Sequence, residues 1–150
     1  MRRVTKLYRR GSWPEDRVVC TVTLPFDKRH RRRIRLTDDE GKPFLLDLLK
    51  ATLLTDGDGL ALENSGFIQV HAAEEPVADI RCGDAAHAAR VAWHIGNRHA
   101  PVQVLKDGRL RIGDDHVLVH MVEGLGAEVY RHPAPFSPEP GAYAGLPHDH

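Results

Sequence analysis

Apolar residues recur with a period of two through the first half of the chain, and with a helical period twice in the second. From Val18 to Leu24 the run is β-branched and alternating, which predicts a strand with Val18, Cys20, Val22 and Leu24 on one face. Pro25 ends it. Residues 28–36 alternate Arg31, Arg33 and Arg35 against Arg32, Ile34 and Leu36, a strand with one basic face. Asp38-Asp39-Glu40-Gly41-Lys42 is a turn, and the apolar run from Pro43 to Leu48 follows. Asp56-Gly57-Asp58-Gly59 and Asn64-Ser65-Gly66 punctuate two further short runs, Leu60 to Glu63 and Phe67 to Ala72. Short strands with turns about every ten residues predict a small all-β domain over residues 1–75.

The pattern then changes. Val77 to Cys82 reads as a strand, and Asp84 is placed to cap a helix whose core positions are Ala88, Val91, Ala92 and Ile95. Gly96 is the expected stop, in left-handed geometry. Trp93 and Ile95 would brace the turn that presents His99. Residues 101–105 and 109–112 make a hairpin around Lys106-Asp107-Gly108. Asp114-Asp115 caps a second helix with an expected core face of Val117, Met121, Val122 and Leu125, closed by Gly124 or Gly126. A last strand spans 127–131. The order β-α-β-β-α-β predicts a ferredoxin-like domain over 76–131, so the class is α+β. Residues 132–150, rich in proline, are expected to be a flexible tail with a span of roughly 20–25 Å.

Charge adds an asymmetry that the balanced total of 21 Lys/Arg and 21 Asp/Glu conceals. Residues 1–35 hold twelve basic and three acidic side chains, and six of the basic ones fall within 28–35. Such a stretch is a possible phosphate footprint, so a nucleic-acid-binding module using residues 28–35 is the alternative reading. The absence of interleaved aromatics favours a solvated face or an acidic protein partner instead. The basic N-terminus has no apolar stretch behind it, no run is long enough to span a membrane, and Cys20 and Cys82 lie outside any C-x-x-C spacing. A soluble protein of the cytoplasm is expected, without a membrane or nucleic-acid partner.

Histidine carries the candidate chemistry. Eight of the ten histidines lie beyond residue 80. His87 and His94, seven positions apart, are about 10 Å apart along a helix and read as a solvated stripe. His116 and His120 stand at i and i+4 with Glu123 at i+7, a spacing by which helices hold metals with two imidazoles. His148-x-His150 offers two more to nickel, copper or zinc. His99 on a rigid turn is one ligand, and two copies across a two-fold axis, with tail ligands, would make a site. Imidazoles bind metal when neutral, so loading should fall as pH drops through about 6.5. No H-E-x-x-H, nucleophile constellation or phosphate loop is present, so an enzyme is not expected.

Several of these segments together resemble a known family. Trp93-His94-x-Gly96-Asn97-Arg98-His99-x-Pro101-Val102-Gln103, then Asp115-His116-Val117-Leu118, then Phe136-x-Pro138-Glu139-x-Gly141-Ala142-Tyr143, are similar to the urease accessory protein UreE family of nickel metallochaperones. So are the Arg-rich strand, Leu53-Leu54-x-x-Gly57-Asp58-x-Leu60 and Val70-x-Ala72-Ala73-x-Glu75. The resemblance implies an N-terminal β domain that engages partner proteins and a ferredoxin-like domain that forms a homodimer. It implies Ni(II) bound by His99 of both copies, with His116, His148 and His150 as further ligands, and Cu(II) or Zn(II) as possible substitutes. Delivery would run through the urease accessory GTPase to the urease apoprotein activation complex. Asp114 stands where some members have a histidine, and the terminus carries two histidines in place of a long histidine-rich tail. Both departures imply a carrier of few ions. His120 is not a ligand that the resemblance supplies.

Overall fold

The computed structural model describes residues 1–141. The chain divides into two compact units between Ala73 and Glu74, two residues ahead of the expected boundary.

In the first unit a six-stranded sheet runs in the order β2-β6-β5-β1-β4-β3. Its strands are β1 (Arg2–Tyr8), β2 (Val18–Leu24), β3 (His30–Thr37), β4 (Pro43–Leu53), β5 (Gly59–Leu62) and β6 (Phe67–Ala72). β1 pairs parallel with β4, and β2 parallel with β6; the other neighbours are antiparallel. Alternation puts Val22, Leu24, Phe44, Leu46, Leu60 and Ile68 into one core. Val18 is exposed and Cys20 half-buried, so the inward face of β2 is shorter than the pattern predicts.

β1 is a strand that the pattern does not announce, because its basic residues mask the one buried apolar position, Val4. Two of them, Arg2 and Arg3, and Arg9 just beyond the strand find carboxylates. Arg2 Nη2 donates to the buried Asp38 at 2.8 Å, Arg3 pairs with Asp47, and Arg9 Nη1 donates to the fully buried Asp58 at 2.8 Å. The basic excess of the first third is therefore partly neutralised within its own domain. Asp38 also accepts from the Glu40 and Lys42 amides. Burial pushes its pKa up, but these amides and the Arg2 guanidinium outweigh burial and hold it well below the carboxylate range. Arg32, Arg33 and Arg35 on β3 remain exposed.

The second unit follows the expected order: β7 (Glu74–Arg81), α1 (Ala85–Asn97), β8 (Gln103–Val104), β9 (Leu110–Gly113), α2 (His116–Gly124) and β10 (Glu128–Pro135). The four strands form an antiparallel sheet in the order β10-β7-β9-β8, the ferredoxin-like arrangement. Val91 and Ile95 of α1 and Val119 and Val122 of α2 pack with Ile80 and Ile112 of the sheet.

Two expectations need correction here. The tail does not begin at residue 132: β10 pairs with β7 as far as Pro135 opposite Glu74. Proline is tolerated because β10 is an edge strand, where a missing N–H interrupts no ladder. Phe136 is buried, the Ser137 amide donates to Gln103, and the Glu139 amide donates to the Val102 carbonyl at 2.8 Å. The Glu139 carboxylate accepts from the Val104 amide at 3.1 Å, so residues 137–139 are fastened along β8. Second, Val117 is 59% exposed and is no part of the core face of α2, which is Val119 and Val122 flanked by Leu118 and Met121.

Candidate metal centre

Asp84 caps α1, accepting from the His87 amide at 2.7 Å. The helix does not stop at Gly96. It continues to Asn97, and the residue in left-handed backbone geometry is His99 itself, at φ 59°. The His99 amide donates to the Gly96 carbonyl at 2.9 Å, and the Ala100 amide donates to the Ile95 carbonyl at 3.3 Å. These are the two hydrogen bonds of a Schellman motif, with histidine where glycine is usual. The other helix of the same unit ends identically: Gly126 at φ 91° donates to Glu123, and Ala127 donates to Val122. Ile95 is fully buried below the His99 turn, whereas Trp93 is 62% exposed and lies edge-on to the His94 ring at 5.0 Å. Trp93 therefore does not brace the turn.

Hydrogen-bond accounting separates structural histidines from available ones. His87, expected on a solvated stripe, is half-buried with both ring nitrogens in use: Nδ1 accepts from the Gly83 amide at 3.0 Å, and Nε2 lies 2.8 Å from the Leu125 carbonyl. The carbonyl can only accept, so Nε2 carries the proton. His87 thus ties the start of α1 to the end of α2. His132 Nε2 lies 2.7 Å from the buried Asp79, which also accepts from Arg111 at 2.7 and 3.0 Å. Burial raises the Asp79 pKa, but Arg111 and then His132 outweigh it and the net shift is downward. The Arg111 guanidinium is in turn held charged, chiefly by Asp79. His71 Nδ1 is 3.8 Å from Asp56.

His99, His116 and His120 are exposed, and among the described residues none of the three rings has a hydrogen-bond or ion-pair partner. His116 opens α2, where the Asp115 carboxylate caps the Val117 and Leu118 amides at 2.8 and 3.1 Å. Asp114 is paired with Arg131 at 3.1 Å. His148 and His150 lie outside the described residues. Among the described residues, no three His, Cys, Asp or Glu side chains of one chain come close enough to hold a metal ion. The commitment of His87 and His132 was not visible in the sequence. The only hint was that His87 sits three residues after the capping Asp84.

The exposed, unpartnered rings of this unit are thus those of His99, His116 and His120, while His87 and His132 are tied into the fold. The model of the UreE urease accessory protein N-terminal domain matches residues 3–73, and that of the C-terminal domain matches residues 75–150. A urease accessory protein UreE of Bradyrhizobium sp. strain ORS 278 is 49% identical over the whole chain, which spans 70% of that relative. UreE of Chelativorans sp. strain BNC1 is 49% identical over 89% of this chain and 84% of its own length. UreE of Pseudomonas putida strain F1 is 47% identical over 95% and 86%. The chain belongs to the UreE family: it is an accessory protein of urease maturation and not an enzyme. No helix among the described residues is long and apolar enough to cross a membrane.

Proposed function

We propose that the protein carries Ni(II) as cargo at a site shared by two copies of the chain, with His99 of each copy as the central ligands. The observation that carries this reading is the His99 turn. A histidine occupies a backbone position that favours glycine, on a hydrogen-bonded helix end, with its ring exposed and uncommitted. Strain of this kind persists where a side chain is needed. One imidazole is a single ligand, so a second copy supplies the other, and the exposed Trp93 and Val117 offer apolar surface for a homodimer to cover. His116, His148 and His150 are the further ligands in this reading, and Cu(II) or Zn(II) would compete by their affinity for imidazole. The cargo passes in the cytoplasm to the urease activation complex through its accessory GTPase, and the all-β domain makes the protein contacts.

Isothermal titration of Ni(II) into the wild type and His99→Ala tests the site. The variant should lose the tight phase and keep at most weak binding. Tight binding retained in His99→Ala would sink the shared-site reading.

A further inference from the structure

We propose a second metal site, contained in one chain: His116 and His120 act as a two-imidazole clamp on α2 for a divalent ion such as Ni(II), Zn(II) or Cu(II). It needs no partner copy, and His116 serves it in alternation with the shared site, on whose reading the proposal in that respect rests.

The geometry comes from the helix. α2 is continuous from His116 to Gly124, so residues four apart rise about 6 Å and differ by about 40° in azimuth. Val119 and Val122 are buried in the core, and His116, His120 and Glu123 are exposed along the adjoining flank of the helix. Both rings are uncommitted among the described residues, in contrast to His87 and His132. The imidazoles can therefore turn their nitrogens to one ion without breaking an existing bond. Glu123 does not complete a three-ligand set with them, since among the described residues no three such side chains come close enough, so water takes the remaining positions.

A helix of nine residues would ordinarily fray at its first residue, and a frayed ligand pays ordering entropy on binding. Here both ends are fastened. Asp115 caps the first turn through two amides, which fixes the backbone at His116. At the other end Gly126 and Ala127 close a Schellman motif, and His87 holds the Leu125 carbonyl. The backbone that carries both rings is therefore held at each end. The positive end of the helix dipole opposes a cation at His116, and the capping carboxylate of Asp115 offsets it. Two neutral imidazoles with open positions for water make an exchangeable site, suited to passing an ion on.

The test titrates Ni(II) into the full chain in a His99→Ala background, so that the shared site is silent. His120→Ala added to that background should weaken the residual binding by at least roughly tenfold, as a chelate becomes a single ligand. Moving the histidine instead of deleting it, with His120→Ala and Glu123→His together, keeps the histidine count but sets the two rings seven residues apart, and should not restore binding. Hydrogen exchange provides a readout apart from affinity. Ni(II) should slow the amides of α2 in the His99→Ala chain and leave them unchanged once His120 is removed. Residual binding and exchange unaltered by His120→Ala would overturn the clamp, and would leave the remaining ions to the tail. Failure of the His99 reading is separate: it appears as tight binding retained in His99→Ala alone, whatever His120 does.

Discussion

Replacing His99 with glycine should make the metal-free protein more stable while removing its central ligand. The side chain is exposed, so truncation sacrifices little buried area. The backbone sits at φ 59°, where an L-residue costs about 1–2 kcal/mol relative to the right-handed region. Glycine relieves that cost but adds freedom to the unfolded chain, which takes back about 0.5–1 kcal/mol. The net gain is about 0.5–1 kcal/mol, and asparagine should fall between glycine and alanine. Both α-helices belong to the second unit, so helical ellipticity reports its unfolding selectively. Urea denaturation with a chelator present and protomer concentration fixed gives the comparison. The matched control is Gly126→Ala, the same motif at the end of α2, which should lose about 1 kcal/mol. If His99→Gly is no more stable than the wild type while Gly126→Ala is destabilised, the strain argument for His99 is wrong.

Two further outcomes follow from the internal braces. Asp79→Asn leaves the half-buried Arg111 without its carboxylate and should cost about 2–3 kcal/mol in the same denaturation experiment. Asp79 and Asp38 both titrate below their ordinary 3.8 in the folded chain, so they stabilise the fold above that pH. Stability should accordingly fall as pH drops below about 4, and less steeply in Asp79→Asn. His87→Ala strands the Gly83 amide and the Leu125 carbonyl and should cost about 1–2 kcal/mol, while His94→Ala, whose ring lies against Trp93, changes stability by under about 0.5 kcal/mol.

The order of strands and helices in the second unit was legible because its helices carry caps and its hairpin carries Asp-Gly. What escaped sequence reading was decided by neighbours distant in the chain. β1 is disguised by Arg2 and Arg3, whose carboxylate partners lie more than thirty residues away. Pro133 and Pro135 look like a tail until the edge position of β10 makes them harmless. Val117 and Val119 differ by two positions in a nine-residue helix, too short for periodicity to choose between them. Gly96 was the natural helix stop by composition, and the left-handed position fell three residues later, on the histidine that the motif already singled out.

The fastening of Glu139 to Val102 changes the topology open to the terminus. By sequence, a ring joining His99 to His148 would enclose 49 residues. With the Glu139 amide bonded to the Val102 carbonyl, the shortest route is three residues from His99 to Val102, one hydrogen bond, and nine residues from Glu139 to His148. The stretch between Val102 and Glu139 is already folded, so the position of Glu139 relative to His99 is set by the fold and not by 40 residues of loose chain.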